Sequence, residues 1–212
     1  MAISAQNSLT LWERALKRLV DFLGALLGLI LTWWIILICY ILASIDTRTS
    51  GFFIQKRIGR KGKPFNLVKL RTMRNDPSFQ TIVTTDRDPR ITSLGRFFRK
   101  TKMDELPQLF HILLGQMSFV GPRPDVPGFA DNLSGDDRII LSVRPGITGP
   151  ATLKYRNEES ILAKRENPER YNDEVIYPDK VKLNKEYVEN YSLHRDIEYI
   201  FQTIFNRKGI KN

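Results

Sequence analysis

Asp104 and Glu105 stand side by side in Lys102-Met-Asp-Glu-Leu-Pro-Gln108, directly after a basic stretch, and sixteen residues beyond the pair comes Gly121-Pro-Arg-Pro124. A carboxylate can act as nucleophile, general base or metal ligand. An adjacent acid pair followed by a rigid Pro-Arg-Pro suggests a site where carboxylates, cations and phosphate meet. Asp104 is placed as the N-cap of the following helix, with Pro107 in its first turn. There the helix dipole and backbone N–H groups hold an aspartate as the anion, and nearby Arg and Lys depress its pKa further. An ionised aspartate is a poor base near neutrality but a usable nucleophile toward phosphorus. Glu105 points elsewhere on the helix and can share a divalent cation, which offsets repulsion between nucleophile and phosphate. Each feature also has a plainer reading: a capping aspartate, a first-turn acid, a structural arginine.

The elements that must position this pair begin with a membrane-like segment. Residues 22–45 form a run of 24 without a charge, rich in Leu, Ile, Ala and Trp. As a helix the run reaches about 36 Å, enough to cross a hydrocarbon layer of ~30 Å. A cleaved signal peptide is too short to account for it, and no small-x-small site follows. Arg14, Lys17 and Arg18 precede the run, and Arg48, Lys56, Arg57, Arg60, Lys61 and Lys63 follow it. Basic flanks on both sides fit either a helix that returns to the cytoplasmic side or a straight span with residues 48–63 in the cytoplasm. Trp33 and Trp34 near the middle favour shallow or bent insertion. Gly24 and Gly28 form a Gly-x-x-x-Gly pair that lets another helix approach, which leaves a homodimer open.

Charge is concentrated next to this run. Of the net +10, residues 1–47 and 111–212 contribute nothing, because acids and bases balance in both; residues 48–110 hold fifteen basic and five acidic side chains. Such a block attracts anionic headgroups and phosphorylated ligands. Nucleic acid is excluded as the partner, since no helix-turn-helix, RRM or zinc-finger signature is present. Cys39 is the single cysteine and reads as a small core hydrophobe. His111 and His194 lack ligand spacing and read as surface or core histidines.

All eleven prolines lie at or after Pro64. The expected class is α+β, mainly helical. Residues 1–47 are an anchoring segment with a re-entrant helix favoured, and residues 48–212 form the working domain. Phe52-Phe-Ile-Gln-Lys and Pro64-Phe-Asn-Leu-Val-Lys-Leu read as a β-hairpin around Gly59-Arg-Lys-Gly62. Residues 74–90 read as loop. Leu94, Phe97, Phe98 and Thr101, interleaved with Arg96, Arg99, Lys100 and Lys102, read as a basic interfacial helix. The next helix buries Leu109, Phe110, Leu113 and Leu114 and stops near Gly115. Residues 121–150 are ordered Gly/Pro-rich loops, and residues 157–165 a short helix. Ile197, Ile200, Phe201, Ile204 and Phe205 form an apolar helical face that packs on the domain or lies on a membrane.

Six blocks in order carry a resemblance: Lys69-Leu-Arg-Thr-Met73, Asp88-Pro-Arg-Ile-Thr92, Leu94-Gly-Arg-Phe-Phe-Arg99, Met103-Asp-Glu-Leu-Pro-Gln-Leu109, Met117-Ser-Phe-Val-Gly-Pro-Arg-Pro124 and Val143-Arg-Pro-Gly-Ile-Thr-Gly149. Over roughly residues 12–205 the chain resembles the bacterial sugar transferases, the monotopic polyprenyl-phosphate phosphoglycosyl transferases. The resemblance implies transfer of a sugar 1-phosphate from a UDP-sugar to a polyprenyl (undecaprenyl) phosphate at the cytoplasmic face of the bacterial inner membrane, starting glycan synthesis. It implies that Asp104 is the nucleophile forming a covalent phosphosugar carrier, and that Glu105 completes the dyad, with both acids placing Mg²⁺. Arg99 is the first candidate for a phosphate clamp, and Lys69, Arg71, Arg123 and Arg144 are further candidates. Small members of the family carry a Ser-Pro break in the membrane helix; here the matching stretch, Leu31-Thr-Trp-Trp-Ile35, has no proline. The rivals are a non-catalytic, membrane-tethered binder of anionic lipid, which explains anchor and charge but not the dyad, and a phosphatase or nucleotidyl transferase using the same acids. The sugar is not named by the sequence, although residues 150–180 are the most idiosyncratic.

Overall fold

The computed structural model describes residues 9–76, 84–85 and 88–205. Its longest element is α1, Leu11–Thr47. Thr10 caps it with a capping box: Thr10 Oγ1 accepts from the Glu13 N–H at 3.2 Å, and Glu13 Oε2 accepts from the Thr10 N–H at 2.8 Å. Arg48, in the left-handed region at φ 55°, ends it. At 1.5 Å per residue the helix is about 55 Å long. The break that re-entry was expected to need is absent. The helix runs unbroken through residues 31–35 because no proline removes an N–H there.

One stripe of α1, comprising Lys17, Asp21, Ala25, Leu29, Ile36, Cys39, Ala43 and Thr47, is buried against the rest of the chain. Steps of three, four and seven residues keep these on a single face. Both ends of the helix therefore lie on the same body of protein. The opposite face exposes Phe22, Leu26, Ile30, Trp33, Trp34, Leu37 and Ile41 among others. The Gly-x-x-x-Gly pair serves this packing within the chain. A Cβ on Gly24 would sit 2.8 Å from the Phe119 ring, and one on Gly28 would sit 3.2 Å from Leu109 Cδ1.

Residues β1 (Phe52–Ile58) and β2 (Pro64–Leu70) form the expected antiparallel hairpin, with Phe52 opposite Leu70 and Ile58 opposite Pro64. Its turn is a 3₁₀ piece, Arg60–Gly62. Two further helices meet at a tight corner: α2, Ser93–Thr101, and α3, Gln108–Leu113. Ala25, Leu29, Ile36, Leu67, Leu109, Ile112 and Met117 make the core that joins α1, β2 and α3. Cys39, Ala43, Leu70 and Phe98 make a second core that joins α1 to α2, so Cys39 is the small hydrophobe expected. In α3 the expected burial is only partly right. Leu109 and Ile112 are inside, while Phe110 and Leu114 are exposed, because α3 turns that i, i+4 pair away from α1. It stops as expected, with Gly115 at φ +79°. His111 is a satisfied core histidine, with Nε2 accepting from the Val68 N–H at 3.0 Å and Nδ1 2.6 Å from Gln116 Oε1.

Of the loop expected over 74–90, residues 77–83 and 86–87 lie outside the described residues; the remainder is irregular, closed by a Met73–Ile91 bridge. The ordered loops over 121–150 contain more structure than expected. A parallel pair, β3 (Ser118–Val120) and β4 (Gly146–Thr148), brackets them, and 3₁₀ pieces lie at Ala130–Asn132 and Gly135–Ser142. Then come α4, Pro150–Lys154, and the expected short helix, α5, Glu158–Leu162. After them follow α6, Pro168–Tyr171, a π-turn at Asn172–Ile176, α7, Tyr177–Glu189, and α8, Leu193–Phe205. Of the apolar face expected on α8, Ile200 packs with Tyr187 and Val188, whereas Ile197, Phe201, Ile204 and Phe205 stay exposed.

Candidate active site

The acid pair sits on the corner between α2 and α3, in a 3₁₀ turn, Met103–Glu105. Asp104 was expected to be the N-cap of α3 and is not; that place belongs to Pro107, and the helix starts at Gln108. The corner is made by Lys102, which ends α2 in the left-handed conformation at φ 61°. A non-glycine residue there costs about 1–2 kcal/mol, and such strain gathers at functional sites. The Glu105 N–H then donates to Lys102 O at 3.2 Å and the Leu106 N–H to Met103 O at 3.1 Å. Both carboxylates end up buried.

Their environments differ. Arg123 takes both oxygens of Glu105, with Nη2 to Oε1 at 2.6 Å and Nη1 to Oε2 at 3.3 Å. Burial by itself would raise the Glu105 pKa, but Arg123, Lys102 and Lys69 outweigh it and hold the group down at about 2. Asp104 has no such partner, and its Oδ1 is buried without a hydrogen bond. Burial first, then the neighbouring Glu105 charge, push it up to about 6 against the pull of Lys69, Lys102 and Arg99. The expected depression is thus reversed: away from a helix N-terminus Asp104 gains no dipole or N–H stabilisation, and desolvation dominates.

The Gly121-Pro-Arg-Pro124 segment is held rigid from two sides. The Gly121 N–H donates to Thr148 O at 2.9 Å and the Gly146 N–H to Pro122 O at 2.8 Å, continuing the β3–β4 pairing. From the hairpin, the Ile58 N–H donates to Asp125 O at 2.8 Å and Arg57 Nη1 to Pro124 O at 3.0 Å. Arg123 is therefore a fixed holder of Glu105.

Lys69 is brought to the same place. Two-residue alternation puts it on the face of β2 that carries Leu67, which packs on α3. Burial first, then Arg123, bring its pKa down to about 7, against the pull of Glu105 and Asp104. Arg99 also joins the site. Its Nε donates to Thr72 Oγ1 at 3.1 Å, and Nη1 pairs with Glu159 Oε1 at 3.0 Å. Gly95 allows this, since α2 lies so close to the end of β2 that a Cβ there would fall 2.0 Å from Thr72 O. Gly95→Ala is expected to cost about 1–3 kcal/mol through overpacking and to displace Arg99. Thermal melting reads out the first effect and turnover the second.

Two candidates are not brought to the pair. Arg71 ties the hairpin to α1's exit, donating to Ser50 O at 2.7 Å, Phe52 O at 3.1 Å and Asn75 Oδ1 at 3.1 Å. Arg144 Nε donates to Gly115 O at 2.8 Å, beyond the far end of α3. Lys102, Arg57 and Glu159 were not anticipated as site residues. Lys102 adjoins the pair and was legible; Arg57 and Glu159 are remote in sequence and gave no signal.

A sequence profile of the bacterial sugar transferases matches residues 12–208, and the chain belongs to that family. It is 40% identical over 136 residues to the putative undecaprenyl-phosphate N-acetylgalactosaminyl 1-phosphate transferase of Bacillus subtilis (strain 168), covering 61% of this chain and 76% of that one. It is 34% identical over 207 residues to the UDP-glucose:undecaprenyl-phosphate glucose-1-phosphate transferase of Escherichia coli (strain K12), covering 94% of this chain and 41% of that one. An uncharacterized sugar transferase of Haemophilus influenzae is 34% identical over 229 residues, covering 99% of this chain. The chain spans only 45% of that relative's length.

Proposed function

We propose that the chain transfers a sugar 1-phosphate from a UDP-sugar to a polyprenyl phosphate, as the name of the Escherichia coli relative states for that protein, and that it does so through a covalent intermediate on Asp104. The observation that carries this reading is the buried, unpartnered Asp104 Oδ1 within the field of Lys69, Lys102 and Arg99. Asp104 attacks the β-phosphorus of the donor, the bond to the α-phosphate oxygen breaks, and UMP leaves with that electron pair. A polyprenyl-phosphate oxygen then attacks the same phosphorus and returns the Asp104 carboxylate. Glu105, fixed by Arg123, keeps a second negative charge beside Asp104 and so maintains its basicity. The cations Lys69, Arg99 and Lys102 meet the transferring phosphate.

The acids suit Mg²⁺. Oxygen ligands are what it takes, commonly one or two carboxylates with phosphate and water completing the shell. Asp104 Oδ1 accepts no hydrogen bond and would be the first ligand, with Glu105 beside it as the second carboxylate. A bound Mg²⁺ would neutralise charge on the diphosphate.

The acceptor is a lipid, and the surface fits one. The outer face of α1 is apolar along its length, and Phe97, Phe110 and Leu114 expose further apolar area on the two helices that flank the acid pair. Arg96 and Lys100 are exposed beside Phe97. This combination suits an anionic membrane surface, with the working domain on the cytoplasmic side, where it would start glycan assembly.

The test is a panel of UDP-sugars given without acceptor. The expected result is a stoichiometric burst of UMP and a phosphosugar adduct on Asp104 by mass spectrometry, with turnover restored by undecaprenyl phosphate. UMP released only when acceptor is present, with no adduct under trapping, would instead mean direct transfer. The burst rate should fall as pH drops through about 6, because the raised carboxyl is protonated below its pKa. If the ion sits on Asp104, raising Mg²⁺ should move this limb to lower pH.

A further inference from the structure

We propose that Glu159 occupies the place on Arg99 that a phosphate of the donor takes, so that donor binding exchanges one anion for another on this guanidinium; the inference rests on the transferase reading above. Arg99 is fixed on its inner side by Thr72 Oγ1 at 3.1 Å and touches Met73 Sδ at 3.6 Å. Its strong anionic contact is Glu159 Oε1 at 3.0 Å, on Nη1. Arg99 lies in the last turn of α2, its carbonyl accepting from the Lys102 N–H at 3.3 Å directly before the turn that carries Asp104, and it is one of the three cations that pull on that carboxyl. The guanidinium thus presents, beside the nucleophile, a planar fork suited to hold the transferring phosphate, and a carboxylate from sixty residues away covers it.

Charge decides which acid must yield. A diphosphate entering beside Asp104 and Glu105 meets two carboxylates already, and a third close by adds repulsion of the same sign. Glu105 cannot leave, being buried and gripped through both oxygens by Arg123. Glu159 can. It uses a single oxygen, its side chain is 44% exposed, and such pairs are weak. The turn that carries it need not move, because both oxygens of Glu158 bind Lys180 Nζ, at 2.7 and 2.6 Å, and Leu162 is buried beneath. The exchange is a rotation of one side chain. Glu159 is therefore a positioning residue: it holds Arg99 in place before the donor arrives and sets how tightly the donor binds.

UDP binding measured by calorimetry, with no turnover needed, tests this. Glu159→Gln keeps the shape and removes the competing charge, and it is expected to tighten UDP binding about three- to fivefold, the equivalent of an exposed ion pair. In kinetics the donor KM falls by the same factor while the KM for polyprenyl phosphate stays. In an Arg99→Gln background the same substitution should have no effect, since the partner it releases is gone. Unchanged or weakened UDP binding in Glu159→Gln overturns the exchange, as does an equal gain without Arg99. If the unaltered chain binds no UDP at all, the transferase reading fails and takes this inference with it, an outcome distinct from binding that does not respond to Glu159.

Discussion

Asp104→Asn is expected to lower transfer by about 10³-fold or more, the scale of losing a covalent nucleophile, and to make the protein more stable. The two effects have one cause. Asp104 is buried with an oxygen that bonds to nothing, and its carboxyl titrates at about 6 instead of 3.8. A folded state that binds the proton more tightly than the unfolded state gains stability as pH falls, and ionisation between pH 4 and 6 takes that stability away. At pH 7 the loss is on the order of 3 kcal/mol. Asparagine carries no charge and avoids it, so the melting temperature should rise by roughly 6–12 °C for a chain of this size, and the rise should shrink toward zero below pH 4.

The adjacent Glu105→Gln, equally conservative, should act in the opposite direction. Its carboxyl is held at about 2, so its contribution to stability is present above pH 4.5 and is lost as pH falls toward 2. Removing its charge weakens the Arg123 bridge at every pH above that window, costing about 1–3 kcal/mol. Opposite shifts in melting temperature from neighbouring isosteric changes, with transfer lost in the first, would identify Asp104 as a group kept for chemistry. If Asp104→Asn transfers normally, the nucleophile assignment is wrong.

What could be read from the sequence followed distance along the chain. The acid pair, its basic surroundings and Pro-Arg-Pro were all legible because each is local. So were the hairpin, with its Gly59–Gly62 turn signal, and α2, with its helical spacing. The environment of Asp104 was misjudged because it depended on one local detail: Lys102 adopts a left-handed conformation and lets a tight turn precede α3, so Asp104 loses the cap that would have held it ionised. The parallel β3–β4 pair and the Glu159–Arg99 contact were not legible, since three-residue strands carry no periodicity and an ion pair sixty residues apart leaves no mark in either segment. The candidate cations divided on the same ground. Arg71 and Arg144 match the family blocks as well as Arg99 does, and only the fold shows that Arg71 is spent on Ser50 O, Phe52 O and Asn75 Oδ1, and the Arg144 Nε on Gly115 O.

Asp196→Ala is expected to be the most destabilising single change outside the acid pair. Lys17, two turns into α1, is buried, and its ammonium meets Asp196 Oδ2 at 2.5 Å on α8. The other oxygen of Asp196 accepts from Tyr187 OH at 2.7 Å. One turn further along α1, Asp21 Oδ1 accepts from Ser118 Oγ at 3.1 Å and from the Phe119 N–H at 3.0 Å. Charged groups of the apolar helix thus fasten α8 and β3, and β3 leads directly into the segment that holds Arg123. Removing Asp196 leaves a buried ammonium without its carboxylate and reduces the Tyr187 phenol to its longer contact with Val120 O at 3.3 Å, a loss of about 3–5 kcal/mol. Replacing both members, Lys17→Met with Asp196→Leu, should recover most of that, because an apolar pair of similar volume avoids the desolvation the ion pair suffers. Thermal melting in detergent reads the stability, and UMP release reads the site. If the contact reaches the site through β3, the double variant regains transfer together with stability. A double variant that melts normally but transfers poorly would show that the charges themselves act on the reaction, and a single Asp196→Ala variant that melts like the unaltered chain would show that the pair contributes nothing to holding α1 on the domain.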